Sequence, residues 1–250
     1  MHAAITGASS GIGEALAEEL SRAGYRLTLV ARRVDLLESL ASRLKTDVMT
    51  FKADLSNLDE ADAWVGPAQE RFGSIEVLIN NAGVQIVDNA VNIDNARAEA
   101  MLRLDYMAPL RIIRRVIPGM IARKSGVIVN VASMAALTQT PGMADYCGAK
   151  AALAQFSETL REEVASKGVR VLTVYPGPVR SAMETAAREK LKSKMADNVP
   201  TGEPQELARL VREAFEDDAP RVIYPGVYSV AYWFRASTQW LTHRLTPRIE

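Results

Sequence analysis

The stretch Thr6-Gly7-Ala8-Ser9-Ser10-Gly11-Ile12-Gly13 decides the fold of this chain. It follows a short apolar run at residues 3–5 and opens a segment whose apolar residues recur at helical spacing until Gly24. Glycines between a strand and a helix let the backbone approach a phosphate, and the helix N-terminus adds amide donors and a partial positive charge. The turn therefore predicts a site for the pyrophosphate of a dinucleotide. An ordinary glycine turn is the alternative, which the strand–turn–helix context disfavours.

The rest of the chain repeats this alternation of apolar runs and helical patterns. Short runs rich in Val, Ile and Leu predict strands at 27–31, 48–51, 76–79, 127–131 and 169–174. Strands separated by helices pair in parallel through right-handed crossovers, which place helices on both faces of the sheet. We therefore predict an α/β fold with a Rossmann-like, doubly wound parallel sheet in three α/β/α layers, forming a single domain over residues 1–250.

The composition argues against several other classes of protein. The 250 residues carry 30 basic and 30 acidic side chains, so the long-range positive field expected of a nucleic-acid-binding protein is missing. Cys147, His2 and His243 are too few and too scattered to predict a disulfide framework or a metal site. The sequence does not open with a basic leader and an apolar core, which favours a cytoplasmic protein.

The residues after the second predicted strand indicate which dinucleotide binds. In such folds a carboxylate about 20 residues beyond the glycines binds the ribose 2′-hydroxyl and favours NAD. Here the strand ends in Ala31-Arg32-Arg33, and guanidiniums suit bidentate phosphate binding. We therefore predict NADP(H), with Arg32 and Arg33 at the 2′-phosphate; the alternative is that both arginines only begin a solvated helix. The predicted pyrophosphate contacts are Gly7, Ser9, Ser10, Gly11, Ile12 and Gly13.

Three further residues predict the reaction. Tyr146 and Lys150 are four apart on a predicted helix and share one face, and Ser133 follows the strand at 127–131, at the sheet edge that carries the glycine turn. Hydride transfer to a carbonyl builds negative charge on its oxygen, which a hydroxyl stabilises and a general acid protonates. A nearby ammonium lowers the pKa of a tyrosine from its usual value of about 10. We expect Tyr146 to be the acid and base, Ser133 the ligand of the substrate oxygen, and Lys150 the modifier of the tyrosine pKa and a ribose contact.

In this arrangement the sequence resembles the short-chain dehydrogenase/reductases, in their single-domain, NADP-preferring form. The resemblance runs from Thr6 to about Ser181 and rests also on Asp54-Leu55, Asn80-Asn81-Ala82-Gly83 and Pro176-Gly177. It implies that Asp54, followed by Leu55, lies at the adenine and that Asn81, Ala82 and Gly83 lie against the adenosine ribose. It further implies that the nicotinamide is lined by Pro176, Gly177, Val179 and Ser181.

The sequence departs from the family pattern at two positions. Asp105 stands where many members carry an asparagine, whose backbone carbonyl is thought to hold a water that links the lysine to solvent. The additional carboxylate either pairs with Lys150 and weakens its pull on Tyr146, or is neutral, and the sequence does not give the sign of the effect. We therefore count Asp105 among the candidate catalytic residues. Ser181 replaces the usual threonine and retains a hydroxyl.

Three methionines are the candidate substrate contacts beside Ser133 and Tyr146. Met134 follows Ser133, Met143 lies one turn before Tyr146, and Met183 opens a charge-rich segment. If they line the pocket, the substrate is apolar, since methionine packs adaptably; the alternative is that they belong to the core. The resemblance implies that this segment, residues 181–200, is a lid that orders over the substrate.

The aromatic C-terminal segment, residues 222–245, is too short and too interrupted by Pro225 and Gly226 to span a bilayer. A predicted helix at 227–243 packs locally, lies at a membrane interface, or forms a subunit contact; local packing is favoured over interfacial membrane contact.

We thus expect an NADP(H)-dependent oxidoreductase that interconverts a carbonyl and an alcohol on a small, mostly apolar molecule. One alternative is a catalytically weakened regulatory or structural protein of the same fold, which Asp105 supports. Another is an isomerase or dehydratase that uses the tyrosine. Two long predicted helices, at 95–122 and 145–165, resemble the family's dimer surface and imply a homodimer or homotetramer.

Overall fold

Seven parallel strands form one sheet in the order β3-β2-β1-β4-β5-β6-β7. The computed structural model describes residues 1–191, 200–234, 236, 237 and 240. The strand order reverses between β1 and β4, which confirms the predicted doubly wound sheet. The strands are β1 His2–Thr6, β2 Arg26–Ala31, β3 Val48–Lys52, β4 Val77–Asn80, β5 Gly126–Val131, β6 Val169–Pro176 and β7 Arg221–Tyr224.

Helices cover both faces of the sheet. The α-helices of the described residues are α1 Gly11–Arg22, α2 Val34–Arg43, α3 Val65–Phe72, α4 Asn95–Leu102, α5 Ala108–Ala122, α6 Ala144–Val164, α7 Ala182–Leu191, α8 Pro204–Glu216 and α9 Ser229–Trp233. Successive strand residues point to opposite faces, so Ile5 and Ile79 pack in one core cluster with α1, α2 and α8. Ala4 and Leu78 pack in a second cluster with α3, α5 and α6. The three-layer α/β/α architecture in a single domain is confirmed.

Helix α1 shows how the local sequence sets this packing. Ala15, Leu16 and Leu20 are buried against the sheet, where each leucine contributes about 1.5–3 kcal/mol. Gly24 has φ of +84°, a left-handed conformation that glycine adopts without strain, and it terminates the helical segment as predicted.

A buried histidine closes the amino end of the sheet. Nδ1 of His2 lies 3.1 Å from the carbonyl oxygen of Gly73, so it carries the proton, and Nε2 accepts from the hydroxyl of Thr28 at 2.9 Å. This tautomer is neutral. Burial is the main reason why the pKa of His2 lies below its usual value of 6.5.

The long helix predicted at 95–122 is interrupted by a π-helical segment, Arg103–Met107, between α4 and α5. The N–H of Ala108 bonds to the carbonyl of Arg103, five residues earlier. Proline has no N–H, so Pro109 cannot donate to the carbonyl of Asp105 four residues earlier, and the α-helical pattern fails there. A seventh strand, Arg221–Tyr224, was not among the predicted runs because it is short and half-buried at the sheet edge.

The C-terminal segment packs beside the last two strands. The hydroxyls of Tyr175 on β6 and Tyr232 on α9 both donate to Oε1 of Glu158 on α6, at 2.8 and 3.0 Å. Trp233 and Phe234 remain exposed. The rest of the predicted helix at 227–243 lies partly outside the described residues, as does the second half of the predicted lid, 192–199. Within the described part of the chain, no helix is long and apolar enough to cross a membrane.

Candidate active site

A cavity of about 530 Å³ opens at the carboxyl ends of the strands, where a doubly wound sheet binds its ligands. Most of the predicted site residues meet there, although they come from loops that are far apart in the sequence. The predicted residues that line it are Gly7, Ser9, Ser10, Gly11, Ile12, Arg32, Arg33, Asp54, Leu55, Asn81, Ala82, Gly83, Asp105, Ser133, Tyr146, Lys150, Pro176, Gly177, Val179, Ser181 and Met183.

The glycine turn is a backbone cradle. Gly7 and Gly11 have φ of +67° and +59°, conformations that favour glycine. Gly13 does not line the cavity, but a Cβ there would lie 2.2 Å from the carbonyl oxygen of Gly7, so only glycine lets α1 pack so closely on the turn. With the N-terminus of α1 at the cavity wall, the cradle fits a dinucleotide pyrophosphate.

Thr6 ties this cradle to the loop after β4. Its hydroxyl oxygen accepts hydrogen bonds from the backbone N–H groups of Asn81 and Ala82, at 3.0 and 3.1 Å. The side-chain amide of Asn81 donates back to the carbonyl of Thr6 at 3.0 Å. Hydrogen bonds therefore join the glycine turn and the loop after β4, and both line the cavity. Thr6 belongs to the glycine motif but was not predicted as a site residue. The only sequence signal for this role is a hydroxyl side chain at the end of a strand.

Two arginines form the rim at the end of β2. One nitrogen of Arg33, Nη2, donates to the hydroxyls of Ser9 and Ser10, at 3.0 and 2.7 Å, so this guanidinium lies over the glycine turn. The side chain of Arg32 is exposed at the cavity and forms no hydrogen bond or ion pair with another described residue. It is thus available to a phosphate.

Asp54 lines the same cavity and is ionised at neutral pH. Burial alone would raise its pKa, but the hydroxyl and the N–H of Ser56 donate to Oδ1 at 2.7 and 3.0 Å, and Arg32 adds its charge. Together these interactions hold the pKa of Asp54 below its usual value of 3.8. Because Ser56 donates to Oδ1, the Oδ2 atom of Asp54 can still accept from another donor, as a contact with adenine requires.

The reactive end of the cavity brings together Ser133, Tyr146 and Lys150. Ser133 caps the short 3₁₀ turn Met134–Ala136 after β5, its oxygen accepting from the N–H of Ala135 at 3.1 Å. Tyr146 and Lys150 project from one face of α6, and Nζ of Lys150 lies 5.9 Å from the centroid of the tyrosine ring. Nζ also donates to the carbonyl of Val131 at 3.2 Å, which fixes the ammonium at the end of β5.

Burial dominates the electrostatics of Tyr146 and raises the pKa of its hydroxyl above 10. Lys150 opposes this effect, as does a hydrogen bond with Ser133, whereas the carboxylate of Asp105 adds to it. Tyr146 is therefore a phenol at neutral pH, and positive charge beside it would favour the phenolate.

Asp105 is fully buried in the π-helical segment and faces Lys150. Its Oδ2 lies 3.2 Å from Nζ, and its Oδ1 accepts from the N–H of Val84 at 2.9 Å. Burial lowers the pKa of Lys150, but the charge and hydrogen bond of Asp105 and the charge of Tyr146 together outweigh burial and raise the pKa above its usual value. Burial raises the pKa of the Asp105 carboxyl above its usual value, and the charge of Lys150 and the N–H of Val84 oppose this effect. Of the two possibilities left open by the sequence, the geometry supports the pairing with Lys150.

The turn after β6 closes the other side of the cavity. Gly177 donates its N–H to the carbonyl of Tyr224 on β7 at 2.7 Å, and Val179 forms an isolated bridge with Gly202. The hydroxyl of Ser181 accepts from the N–H of Glu184 at 3.2 Å and so caps the first turn of α7. α7 forms the described half of the predicted lid.

The three candidate substrate methionines separate in the structure. Met183, on α7, lines the cavity and is 43% exposed. Met143 is buried against Tyr146 and accepts a contact from Nε2 of Gln85 at 3.6 Å, and Met134 is buried in a cluster with Tyr175; neither lines the cavity. Helical spacing does not say which face meets the cavity. Further lining residues that the sequence did not single out are Ala31, Ala53, Val84, Gln85, Leu104, Val131, Ala132, Ala182 and Glu184.

Comparisons with known proteins agree with this geometry. The family model of the short chain dehydrogenases matches residues 1–192. Nodulation protein G of Rhizobium sp. is 34% identical over 223 residues, which cover 88% of this chain and 91% of that protein.

Two solved structures share the fold over nearly their whole length. A short-chain dehydrogenase from Sphingobium yanoikuyae in complex with NADPH is 28% identical, with a TM-score of 0.83 over 99% of this chain and 96% of that one. L-Sorbose reductase from Gluconobacter frateurii, complexed with NADPH and L-sorbose, is 30% identical, with a TM-score of 0.80 over 90% of this chain and 95% of that one. Motifs, topology and family match converge, and the chain belongs to the short-chain dehydrogenase/reductase family of oxidoreductases.

Proposed function

We propose that this protein is an NADP(H)-dependent oxidoreductase that interconverts a ketone or aldehyde and the corresponding alcohol. The observation that carries the proposal is the meeting of Tyr146, Lys150 and Ser133 with the glycine cradle in one cavity. Two related structures contain NADPH, which supports the cofactor class. The exposed Arg32 and the absence of a carboxylate at the end of β2 support the phosphorylated form.

The cofactor, when bound, supplies or accepts a hydride. In the reductive direction the hydroxyl of Ser133 donates to the substrate oxygen as negative charge develops there, and Tyr146 transfers its proton to that oxygen. In the oxidative direction the phenolate of Tyr146 takes the proton of the alcohol. The ammonium of Lys150 favours that phenolate and would donate to the ribose hydroxyls of the bound cofactor.

The substrate side of the cavity supports a small, mostly apolar substrate. Val84, Leu104 and Met183 line it, and the acidic side chain there, Glu184, is paired with Arg188 at 2.6 Å. Among the described lining residues, the cations Arg32, Arg33 and Lys150 are assigned to the cofactor and to catalysis, which leaves none for a substrate carboxylate.

Purified protein with NADPH and a panel of ketones and aldehydes tests the proposal. We expect Tyr146→Phe to lower kcat/KM by at least about 100-fold, the size of a general-acid contribution, with NADPH affinity nearly unchanged. Tyr25→Phe is the matched control, because Tyr25 is also buried but lies against Phe215 of α8, outside the cavity lining. Tight NADPH binding without turnover on the panel would contradict the proposal and favour a non-catalytic NADP-binding protein.

We further propose a homodimer or homotetramer assembled through α4, α5 and α6. Leu102 and Met107 support it, because these apolar side chains are exposed beside the π-helical segment. Light scattering on the purified protein measures the assembly.

A further inference from the structure

The carboxylate of Asp105 is buried beside the reactive groups, and the proposed reaction does not yet use it. Its side chain is 0% exposed, and its Oδ2 lies 3.2 Å from Nζ of Lys150. Within the described residues, Lys150 is the only cation paired with it. Burying a carboxylate next to an ammonium costs desolvation free energy, and in return its charge acts strongly on the neighbouring groups.

The pair is buried and held in a fixed position. Nζ is anchored by the carbonyl of Val131 at 3.2 Å, and Oδ1 of Asp105 by the N–H of Val84 at 2.9 Å. A Cβ on Gly83 would lie 2.9 Å from Oδ2 and 3.1 Å from Nζ, so the backbone of Gly83 packs closely against the pair. Neither charge can turn away without breaking a backbone hydrogen bond.

The position of this pair determines what Lys150 can do to Tyr146. An isolated ammonium would favour the phenolate, whereas an ammonium next to a carboxylate presents a smaller net charge to a third group. At Tyr146 the charge of Asp105 therefore offsets part of the effect of Lys150, which remains the larger of the two.

We propose that Asp105 is a positioning residue that offsets part of the charge of Lys150 and keeps the Tyr146 hydroxyl a proton donor through neutral and mildly alkaline pH, the state that carbonyl reduction requires. This inference rests on the proposed function for its meaning in catalysis, but the charge balance itself is independent of turnover.

Other groups around Tyr146 do not replace this carboxylate. On α6 the neighbouring groups are Asp145, Cys147 and Lys150, and the 3₁₀ turn after β5 adds only the hydroxyl of Ser133. The remaining elements packed against the ring present Glu184 paired with Arg188, Glu99 paired with Arg103, and Asp88 on the loop after β4. Asp105 is thus the carboxylate that is both fully buried and in contact with Lys150.

The test compares Asp105→Asn with the unchanged protein. Asparagine retains the oxygen that accepts from Val84 and removes only the charge. We measure the pH dependence of kcat/KM for reduction and oxidation, and we titrate Tyr146 in the NADP⁺ complex by NMR of ¹³Cζ-labelled tyrosine, assigned with Tyr146→Phe. We expect the apparent pKa of Tyr146 to fall by about one unit or more, and the basic limb of reduction and the acidic limb of oxidation to fall by the same amount.

Asp88→Asn is the matched control, since it removes a half-buried carboxylate outside the cavity lining and should leave the titration unchanged. A purely structural role for Asp105 would lower stability or activity without moving the pH profile. A titration of Tyr146 that is unchanged or moves upward in a folded Asp105→Asn variant overturns the inference. The NMR titration needs no substrate, so it decides the inference even if the protein turns over nothing on the panel.

The unchanged protein provides a second measurement that does not depend on the folding of a variant. The inference requires Tyr146 to remain a phenol in the NADP⁺ complex through neutral pH. An apparent pKa of about 7 or lower for Tyr146 in that complex overturns it.

Discussion

Removal of the guanidinium of Arg32 should weaken the binding of NADPH much more than the binding of NADH. Arg32 lies exposed at the cavity rim and forms no hydrogen bond or ion pair with another described residue, so Arg32→Ala disturbs little of the protein itself. Arg33 differs, because its Nη2 holds the hydroxyls of Ser9 and Ser10 in the glycine turn. We therefore expect Arg33→Ala to weaken the binding of both dinucleotides and Arg32→Ala to weaken chiefly that of NADPH.

The expected magnitude follows from the exposure of the side chain. A hydrogen bond between charged groups contributes about 1.5–3 kcal/mol, and solvent screening at an exposed position favours the lower end of that range. A loss of about 1.5 kcal/mol raises the dissociation constant for NADPH about tenfold. NADH has no 2′-phosphate, so its dissociation constant should change by less than about twofold.

Fluorescence titration with both cofactors measures this difference at a fixed ionic strength. Lys52→Ala is the matched control, because Lys52 is an exposed cation at the end of β3, in register with Ala31, but does not line the cavity. It corrects for the general loss of one positive charge near the site. Equal weakening of both cofactors by Arg32→Ala, or unchanged affinity for NADPH, would refute the assignment of Arg32 to the 2′-phosphate.

Two further changes test the packing that supports the site. Gly13→Ala places a Cβ against the carbonyl of Gly7, so we expect a loss of about 1–3 kcal/mol in urea unfolding and weaker NADPH binding; Gly66→Ala, whose Cβ meets nothing within 4 Å, should do neither. His2 is neutral in the folded protein, and burial lowers its pKa below 6.5, whereas the unfolded chain takes up a proton as the pH falls through that value. Stability is therefore lost below about pH 6.5, and His2→Gln should flatten the fall in Tm between pH 7 and 5; an equally steep fall in the variant would show that other groups cause it.

The glycine turn, the alternating strands and the Tyr146–Lys150 spacing could be recognised in the sequence because each is a local feature. A strand–turn–helix junction is encoded within about ten residues, and helical spacing places Tyr146 and Lys150 on one face. Parallel pairing then requires that the loops after the strands meet at one edge, which brings Ser133 to the cavity without any further information.

Local patterns did not decide which side of an element meets the cavity. Met134, Met143 and Met183 have the same chemistry and similar positions relative to the motifs, yet only Met183 lines the cavity. The orientation of each depends on how the 3₁₀ turn after β5, α6 and α7 pack on their neighbours, which periodicity does not specify. The π-helical segment was likewise missed, although Pro109 is a visible cause once the helix is known to run through it.

The sequence by itself determined the fold and the meeting of the glycine turn with Ser133, Tyr146 and Lys150 at one sheet edge, because glycine geometry, strand alternation and helical spacing act over short distances along the chain. The tertiary structure decided which titratable groups lie next to Tyr146 and Lys150. Asp105 and Lys150 lie on different helices, and only the packing of the π-helical segment against α6 brings their charges to 3.2 Å and buries them together. The energy of a charge pair depends on distance and on exclusion of water, and both are properties of the folded chain.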